Sequence, residues 1–164
     1  MLAVIGTALL VLSGALCGRQ FGSVYLKRLE MHKKLLMLYE HSAILFEYSM
    51  LTLEELVQRL SCIGELSQLD FLYIPDNFVD TRSYIISVIK SKNRTGSDES
   101  ERNLLDFFTV FGTCDINGQC AYARLAAERE RRELIRVEES YKKRYCVLCK
   151  LGALAGAFAA VMMI

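Results

Sequence analysis

Residues 107–146, FFTVFGTCDINGQCAYARLAAERERRELIRVEESYKKRYC, decide the fold of this chain. Gly112 is placed to adopt the left-handed conformation that ends a helix, and Asp115 is a natural N-cap for the next one. After Gly118, no glycine or proline follows until the glycines beyond Lys150. The pattern therefore predicts a helix–turn–helix whose second helix begins near Ile116 and continues into the last segment of the chain.

Charge patterning supports this long helix. Opposite charges stand four residues apart in the order that stabilises a helix, as Glu128/Arg132, Glu138/Lys142 and Glu139/Lys143. Residues 116–144 would then form a rod of roughly 43 Å. The charge-dense segment 128–133 has two interpretations, a solvated face or a docking surface for an acidic or mixed-charge partner. The second interpretation makes Arg129, Arg131 and Arg132 the candidate partner surface.

Both ends of the chain are apolar. Residues 1–18 carry no charged side chain, and residues 145–164 carry only Lys150. These lengths are close to what a membrane-spanning helix needs. A secretory signal peptide and a buried core helix are the alternatives for the N-terminal segment. A signal peptide would need a basic region before the apolar run, and none is present.

The basic flanks predict the topology. Arg19, Lys27 and Arg28 follow the first apolar segment, and residues 142–144 precede the second. Because positive residues stay on the cytoplasmic side, we expect a two-span protein of the cell membrane whose middle lies in the cytoplasm. The predicted domains are an N-terminal transmembrane helix at 1–21, a cytoplasmic all-helical domain at 22–144, and a C-terminal transmembrane helix at 145–164.

The middle of the chain reads as helix throughout, with one proline, Pro75. Two helices are expected in the first half, one from Tyr25 to Glu47 and one that begins at a Thr52/Glu55 capping box and ends at Gly64. Three more are expected after it, at 66–73, at 77–90 and from Asp98 to Phe108. Residues 77–90 are β-branched enough to suggest a strand, but a lone strand would have no partner. Residues 91–101 are expected to form a loop. The predicted fold class is all-α, a helical bundle between two transmembrane helices.

Small residues recur at helical spacing in both apolar segments. Gly14 and Gly18 lie in the first segment, and Gly152 and Gly156 lie in the second. Glycines four apart allow close approach of helix backbones in lipid. The sequence therefore predicts transmembrane packing at these four glycines, either between the two segments or against another subunit; incidental small residues are the remaining explanation.

Catalytic and metal-binding patterns are weak. Cys146-x-x-Cys149 is a single pair, whereas a structural zinc site needs two further ligands. Residues 115–126 begin like a calcium loop, but Ala126 stands where the terminal Glu belongs. The chain has no phosphate-binding Gly-Lys-Ser/Thr loop and a net charge of +1. We therefore predict no enzymatic activity, no catalytic residue, no cofactor, no metal and no nucleic-acid binding.

The turn residues Phe111, Gly112, Asp115 and Gln119, the long helix after them, and Gly152 with Gly156 in the last segment resemble the stage III sporulation protein AB family of endospore-forming bacteria. That resemblance implies a bundle similar to the inner-membrane platform protein of type II secretion. It implies a non-catalytic adaptor in the assembly between mother cell and forespore, on the mother-cell side of the outer forespore membrane.

The partners that the resemblance implies are a secretion-type ATPase, stage III sporulation protein AA, and the ring-forming proteins of the same assembly. A homo-oligomer is a further possibility. Two other functions stay open from the residues alone. One is a membrane-anchored helical scaffold unrelated to sporulation. The other is a redox or metal module that uses Cys146 and Cys149.

Overall fold

A computed structural model describes residues 2–75, 80–92 and 97–162; inside helices it describes no side chain for residues 2–12, 14–24, 92, 148, 149, 152, 153, 156, 157 and 159–162. The described residues form five α-helices and two 3₁₀ turns, with no strand among them. The helices are α1 (Leu2–Tyr48), α2 (Leu53–Ser61), α3 (Thr81–Lys92), α4 (Asp98–Val110) and α5 (Ile116–Met162). The 3₁₀ turns, Leu66–Gln68 and Asp70–Leu72, lie between α2 and α3.

Side-chain caps fix where three of these helices begin. The Thr52 hydroxyl accepts from the amide of Glu55, whose carboxylate accepts from the amide of Thr52, so the predicted capping box at α2 is confirmed. Ser97 caps α4 in the same way, by accepting from the amide of Ser100. The Asp80 carboxylate accepts from the Ser83 hydroxyl and from the amide of Arg82 at the start of α3. These hydrogen bonds lower the pKa of Asp80, the one to Ser83 most of all.

The chain divides into two compact units, to which α1 and α5 both contribute. We call residues Glu30–Ile135 the bundle, and Met1–Leu29 together with Arg136–Ile164 the terminal unit. The bundle contains 12 basic and 17 acidic residues, a net charge of −5, and the terminal unit contains 8 basic and 2 acidic residues, a net charge of +6. The net charge of +1 for the whole chain is therefore the sum of a negative bundle and a positive terminal unit.

The hydrophobic core lies in the bundle. Its largest fully buried side chains include Tyr39 and Leu35 of α1, Leu56 of α2, Ile85 of α3 and Phe108 of α4. Aromatic rings connect the helices, since Tyr39 meets Phe107 edge-on with ring centroids 5.2 Å apart. Burial of this apolar surface is the main force that stabilises the bundle.

The region between α2 and α4 differs in detail from the sequence prediction. α3 is a helix, as predicted, because its buried residues Thr81, Ile85 and Ile89 are spaced four apart and share one helix face. The predicted helix at 66–73 is wrong, because two separate 3₁₀ turns stand there. Gly64 does not close α2, which ends at Ser61, three residues earlier, with Cys62 as its C-cap.

The described parts of the helices contain no stretch that is both long and apolar enough to cross a membrane. The transmembrane helices predicted at 1–21 and 145–164 are therefore not confirmed. Gly14, Gly18, Gly152 and Gly156 lie outside the residues whose side-chain surroundings the structure describes, so their predicted packing stays a prediction.

Candidate functional site

The family-like motif forms the turn between α4 and α5. Gly112 has a φ of +74°, the left-handed conformation predicted for it. One residue earlier, the Phe111 carbonyl accepts a hydrogen bond of 2.7 Å from the Arg82 guanidinium of α3, and the Phe111 ring is buried against Phe46. The turn is therefore in contact with α3 and α1, so its conformation depends on how these helices pack in the bundle.

The far side of the same turn is held by side chains of the motif. Asp115 caps α5 as predicted, since its carboxylate accepts from the amide of Gly118 at 3.0 Å. The Gln119 side-chain amide donates to the Cys114 carbonyl at 3.0 Å. A Cβ added to Gly118 would lie 2.8 Å from the Asp115 carboxylate, so this glycine is required by close approach. The sequence analysis attached no role to Gly118, and nothing in its spacing signals one.

The three arginines of the candidate partner surface are exposed on α5. Arg131 forms an ion pair of 2.5 Å with Glu40 of α1, and Arg132 lies 3.8 Å from Glu128 one turn earlier. Arg129 stands two turns after Tyr122 on the same helix. Burial of Tyr122 and the nearby Asp106 carboxylate raise the pKa of that phenol, and Arg129 opposes them.

A shallow groove of about 450 Å³ runs between α1 and α5 within the bundle. Ion pairs Arg131–Glu40 and Arg124–Glu47 cross it, and Ala43, Ile44 and Ala127 supply its apolar surface. Ile44 is 51% exposed. The groove thus combines apolar surface with both signs of charge, which suits a mixed-charge protein partner better than a small ligand.

A buried polar cluster connects α1, α4 and α5 within the bundle. The His32 Nδ1 atom lies 2.6 Å from a Glu130 carboxylate oxygen, and the Ser100 hydroxyl donates to the same oxygen at 2.9 Å. The three residues are at most 1% exposed. Because polar groups that lose water need each other's hydrogen bonds, this cluster fixes how the three helices pack.

Glu130 is the buried exception within residues 128–133, the segment interpreted from sequence as either a solvated face or a docking surface. It belongs instead to the inward stripe of α5, with Ala123, Ala126 and Ala127 at spacings of three and four residues. That stripe is the signal by which the sequence could have placed Glu130 inside. Burial and the neighbouring Glu130 charge also raise the pKa of Tyr39 well above its usual value.

The terminal unit has its own polar contact. The Arg144 guanidinium of α5 donates to the Tyr25 hydroxyl of α1 at 3.1 Å and lies 5.7 Å from the centre of that ring. Of the predicted cysteine pair, Cys146 is an exposed free thiol, and Cys149 lies outside the described side chains. Within the described residues no cluster of three potential metal ligands occurs.

The fold and these sites place the protein in the class of all-helical bundles with a mixed-charge surface groove. The family model described as stage III sporulation protein AB matches residues 3–164, so the chain belongs to the stage III sporulation protein AB family. Membership implies a role related to sporulation. No curated protein and no solved structure matches the chain.

Proposed function

We propose that this protein is a non-catalytic membrane-anchored adaptor of the assembly between mother cell and forespore, and that it couples a cytoplasmic secretion-type ATPase to the membrane part of that assembly. The observation that carries the proposal is the family match over residues 3–164. The ATPase partner is stage III sporulation protein AA, as the family resemblance implies.

The terminal unit supplies the proposed membrane anchor. Residues 1–18 carry no charged side chain and residues 145–164 carry one, Lys150. Basic residues stand on the inner side of both segments, which favours a cytoplasmic bundle with both chain ends across the membrane. Two such segments would anchor the protein in the membrane.

The groove between α1 and α5 is the proposed docking surface for the ATPase. Arg131 lines this groove, and Arg132 is the exposed next residue of α5, whose ion-pair partner Glu128 lines the groove. Both ion pairs are exposed to solvent and therefore weak. A partner carboxylate can therefore exchange with Glu40 or Glu128 at little cost in bundle stability. The exposed Ile44 adds apolar contact area in the same groove.

α5 is the proposed connection between ATPase docking and membrane anchoring. It continues without interruption from Ile116 to Met162, as predicted for the long helix, and it contributes residues to both the docking groove and the terminal unit. A helix is a stiff element, so displacement of the groove by the ATPase would be carried along it.

The test is co-purification from sporulating cells with a tagged full-length protein in solubilised membranes. We expect the ATPase to be recovered with the unchanged protein, and its recovery to fall about tenfold or more with Arg131→Glu and Arg132→Glu together. The matched control reverses two exposed bundle charges away from the groove, Arg59→Glu and Lys90→Glu.

The control variant should retain the ATPase. Equal recovery with both double variants would show that the groove is not the docking surface. Absence of the ATPase from the purified unchanged protein, with the ATPase present in the lysate, would contradict the adaptor function itself.

A further inference from the structure

The terminal unit exposes a stripe of large apolar side chains. Val147, Leu151, Leu154 and Phe158 of α5 are between 54% and 67% exposed. Their spacings of four, three and four residues place them on one face of the helix. A continuous exposed face of this kind is unfavourable in water and is typical of a surface that lipid or another protein covers.

A basic and aromatic collar adjoins the start of this stripe. We define the collar as Tyr25, Lys143 and Arg144, which with Val147 line a cavity of about 270 Å³. The contact between Arg144 and Tyr25 fixes one wall of the cavity. Val147 belongs to both the cavity and the stripe, so the polar and apolar surfaces are continuous.

Most of the charged residues around the collar are basic. Lys27 and Arg28 are exposed within one turn of Tyr25, and Lys150 is exposed two turns beyond Lys143. The first acidic residue of the chain is Glu30, and no acidic residue follows Glu139. The terminal unit has a net charge of +6, and the basic residues of the collar adjoin the apolar stripe.

We propose that the collar binds the phosphate headgroup of an anionic phospholipid, whose acyl chains cover the apolar stripe. Arginine and lysine donate charge-assisted hydrogen bonds to phosphate, and a tyrosine ring suits the boundary between headgroup and acyl chain. A soluble phosphate could bind the collar but would leave the apolar stripe exposed. A protein partner would need an acidic group for the collar and an apolar surface for the stripe, side by side along one helix. This proposal rests on the membrane-anchoring part of the proposed function and not on the ATPase.

The experiment is native mass spectrometry of the full chain in a neutral detergent, with phosphatidylglycerol or phosphatidylcholine added. We expect phosphatidylglycerol to bind preferentially. The double variant Lys143→Gln and Arg144→Gln should lose about tenfold or more of that binding, as expected when two basic residues leave an anionic surface. Tyr25→Phe, which keeps the ring and removes only the hydroxyl, should lose less.

The matched control is Arg59→Gln with Lys90→Gln, which removes the same charge from exposed sites of the bundle. It should bind phosphatidylglycerol like the unchanged protein, and glycerol phosphate in solution should not compete. Circular dichroism should be used to check that the collar variant and the control variant are both helical. If the collar variant unfolds, the exposed single variant Lys143→Gln replaces it.

Three results would overturn the proposal: equal binding of the two lipids, unchanged phosphatidylglycerol binding by the collar variant, or competition by glycerol phosphate. Each of them leaves membrane anchoring intact as long as the protein is recovered in the membrane fraction of cells. Recovery of the unchanged protein in the soluble fraction would instead contradict the anchor of the proposed function.

Discussion

The bundle and the terminal unit use the same two helices, α1 and α5, in opposite ways. In the bundle, α5 turns small residues inward, Ala123, Ala126 and Ala127, and five of its exposed side chains between residues 124 and 132 are charged. In the terminal unit, α5 exposes large apolar side chains such as Leu154 and Phe158. Because apolar surface that remains exposed in water is unfavourable, the exposed apolar face of the terminal unit supports the proposed contact with lipid.

The polar residues differ between the two regions as well. The bundle encloses His32, Ser100 and Glu130, which hydrogen-bond one another through His32 Nδ1, the Ser100 hydroxyl and one Glu130 oxygen. The terminal unit carries mainly positive charge, a net +6, and its basic residues Lys143, Arg144 and Lys150 are exposed. The first arrangement stabilises one packing of helices, and the second attracts an anionic surface. The predictions below test this contrast, from the largest expected effect to the smallest.

The largest effect is expected for Glu130→Ala, which leaves His32 and Ser100 buried without their shared partner. The free energy of unfolding should fall by about 3 kcal/mol or more, as for other buried polar pairs that lose one member. The measurement is unfolding of the full chain in neutral detergent, followed by circular dichroism. Glu65→Ala, at an exposed position, is the control and should change the free energy little.

A second variant separates hydrogen bonding from packing at the same place. His32→Leu with Glu130→Leu removes both partners, and it should recover much of the stability that Glu130→Ala loses. A loss below about 1 kcal/mol for Glu130→Ala would mean that the cluster does not fix the helix packing.

The turn between α4 and α5 should respond next. Gly112→Ala strains a backbone with a φ of +74°, and Gly118→Ala pushes against the Asp115 cap. Each should lower the free energy of unfolding by roughly 1 kcal/mol or more. Gly64→Ala is the matched control, because its Cβ would meet nothing within 4 Å. Equal effects of all three changes on thermal unfolding would contradict the assigned turn geometry.

Tyr39 should make stability depend on alkaline pH. Its folded-state pKa is raised above the ordinary value of 10.0, so the folded protein keeps a proton that the unfolded chain releases. The stabilisation is complete below about pH 10 and is lost as the pH rises above that value. Tyr39→Phe should therefore lose less stability than the unchanged protein between pH 8 and pH 10.5.

At pH 8 the Tyr39→Phe variant should be at least as stable as the unchanged protein, because the buried Tyr39 hydroxyl has no hydrogen-bond partner among the described residues. Tyr73→Phe, at a position 74% exposed, is the control. An identical loss of stability with pH in the Tyr39 variant and the unchanged protein would contradict the burial of this phenol.

The smallest effect on stability is expected at the groove. Arg131→Ala removes an exposed ion pair with Glu40 and should change the free energy of unfolding by less than about 1 kcal/mol. The same change should still weaken recovery of the ATPase. A large loss of stability would mean that Arg131 holds the bundle together and would weaken its assignment to a partner surface.

Much of the fold was predictable from local signals. The capping box at Thr52, the left-handed Gly112 and the Asp115 cap each depend on neighbouring residues, so their spacing in the sequence reveals them. The all-helical class followed from periodicity in the same way. The failures at 66–73 and at Gly64 concern the ends of short elements, where tertiary packing outweighs local propensity.

The sites were less accessible to sequence reasoning. His32 and Glu130 are 98 residues apart, and only the folded bundle brings them together. The contact between Tyr25 and Arg144 spans 119 residues. The sequence showed that basic residues flank both apolar segments. It does not show that the Tyr25 ring and the Arg144 guanidinium contact each other there.

The central claim is that the terminal unit contacts lipid while the bundle stays in water. The chain contains no tryptophan, so one introduced tryptophan reports on its own position. The measurement compares Phe158→Trp, 67% exposed in the terminal unit, with Tyr48→Trp, 83% exposed in the bundle, in vesicles of phosphatidylglycerol with brominated acyl chains. We predict strong quenching of fluorescence for Phe158→Trp and little for Tyr48→Trp. Equal quenching of the two variants, or none at position 158, would contradict the division of the molecule into lipid-facing and water-facing regions.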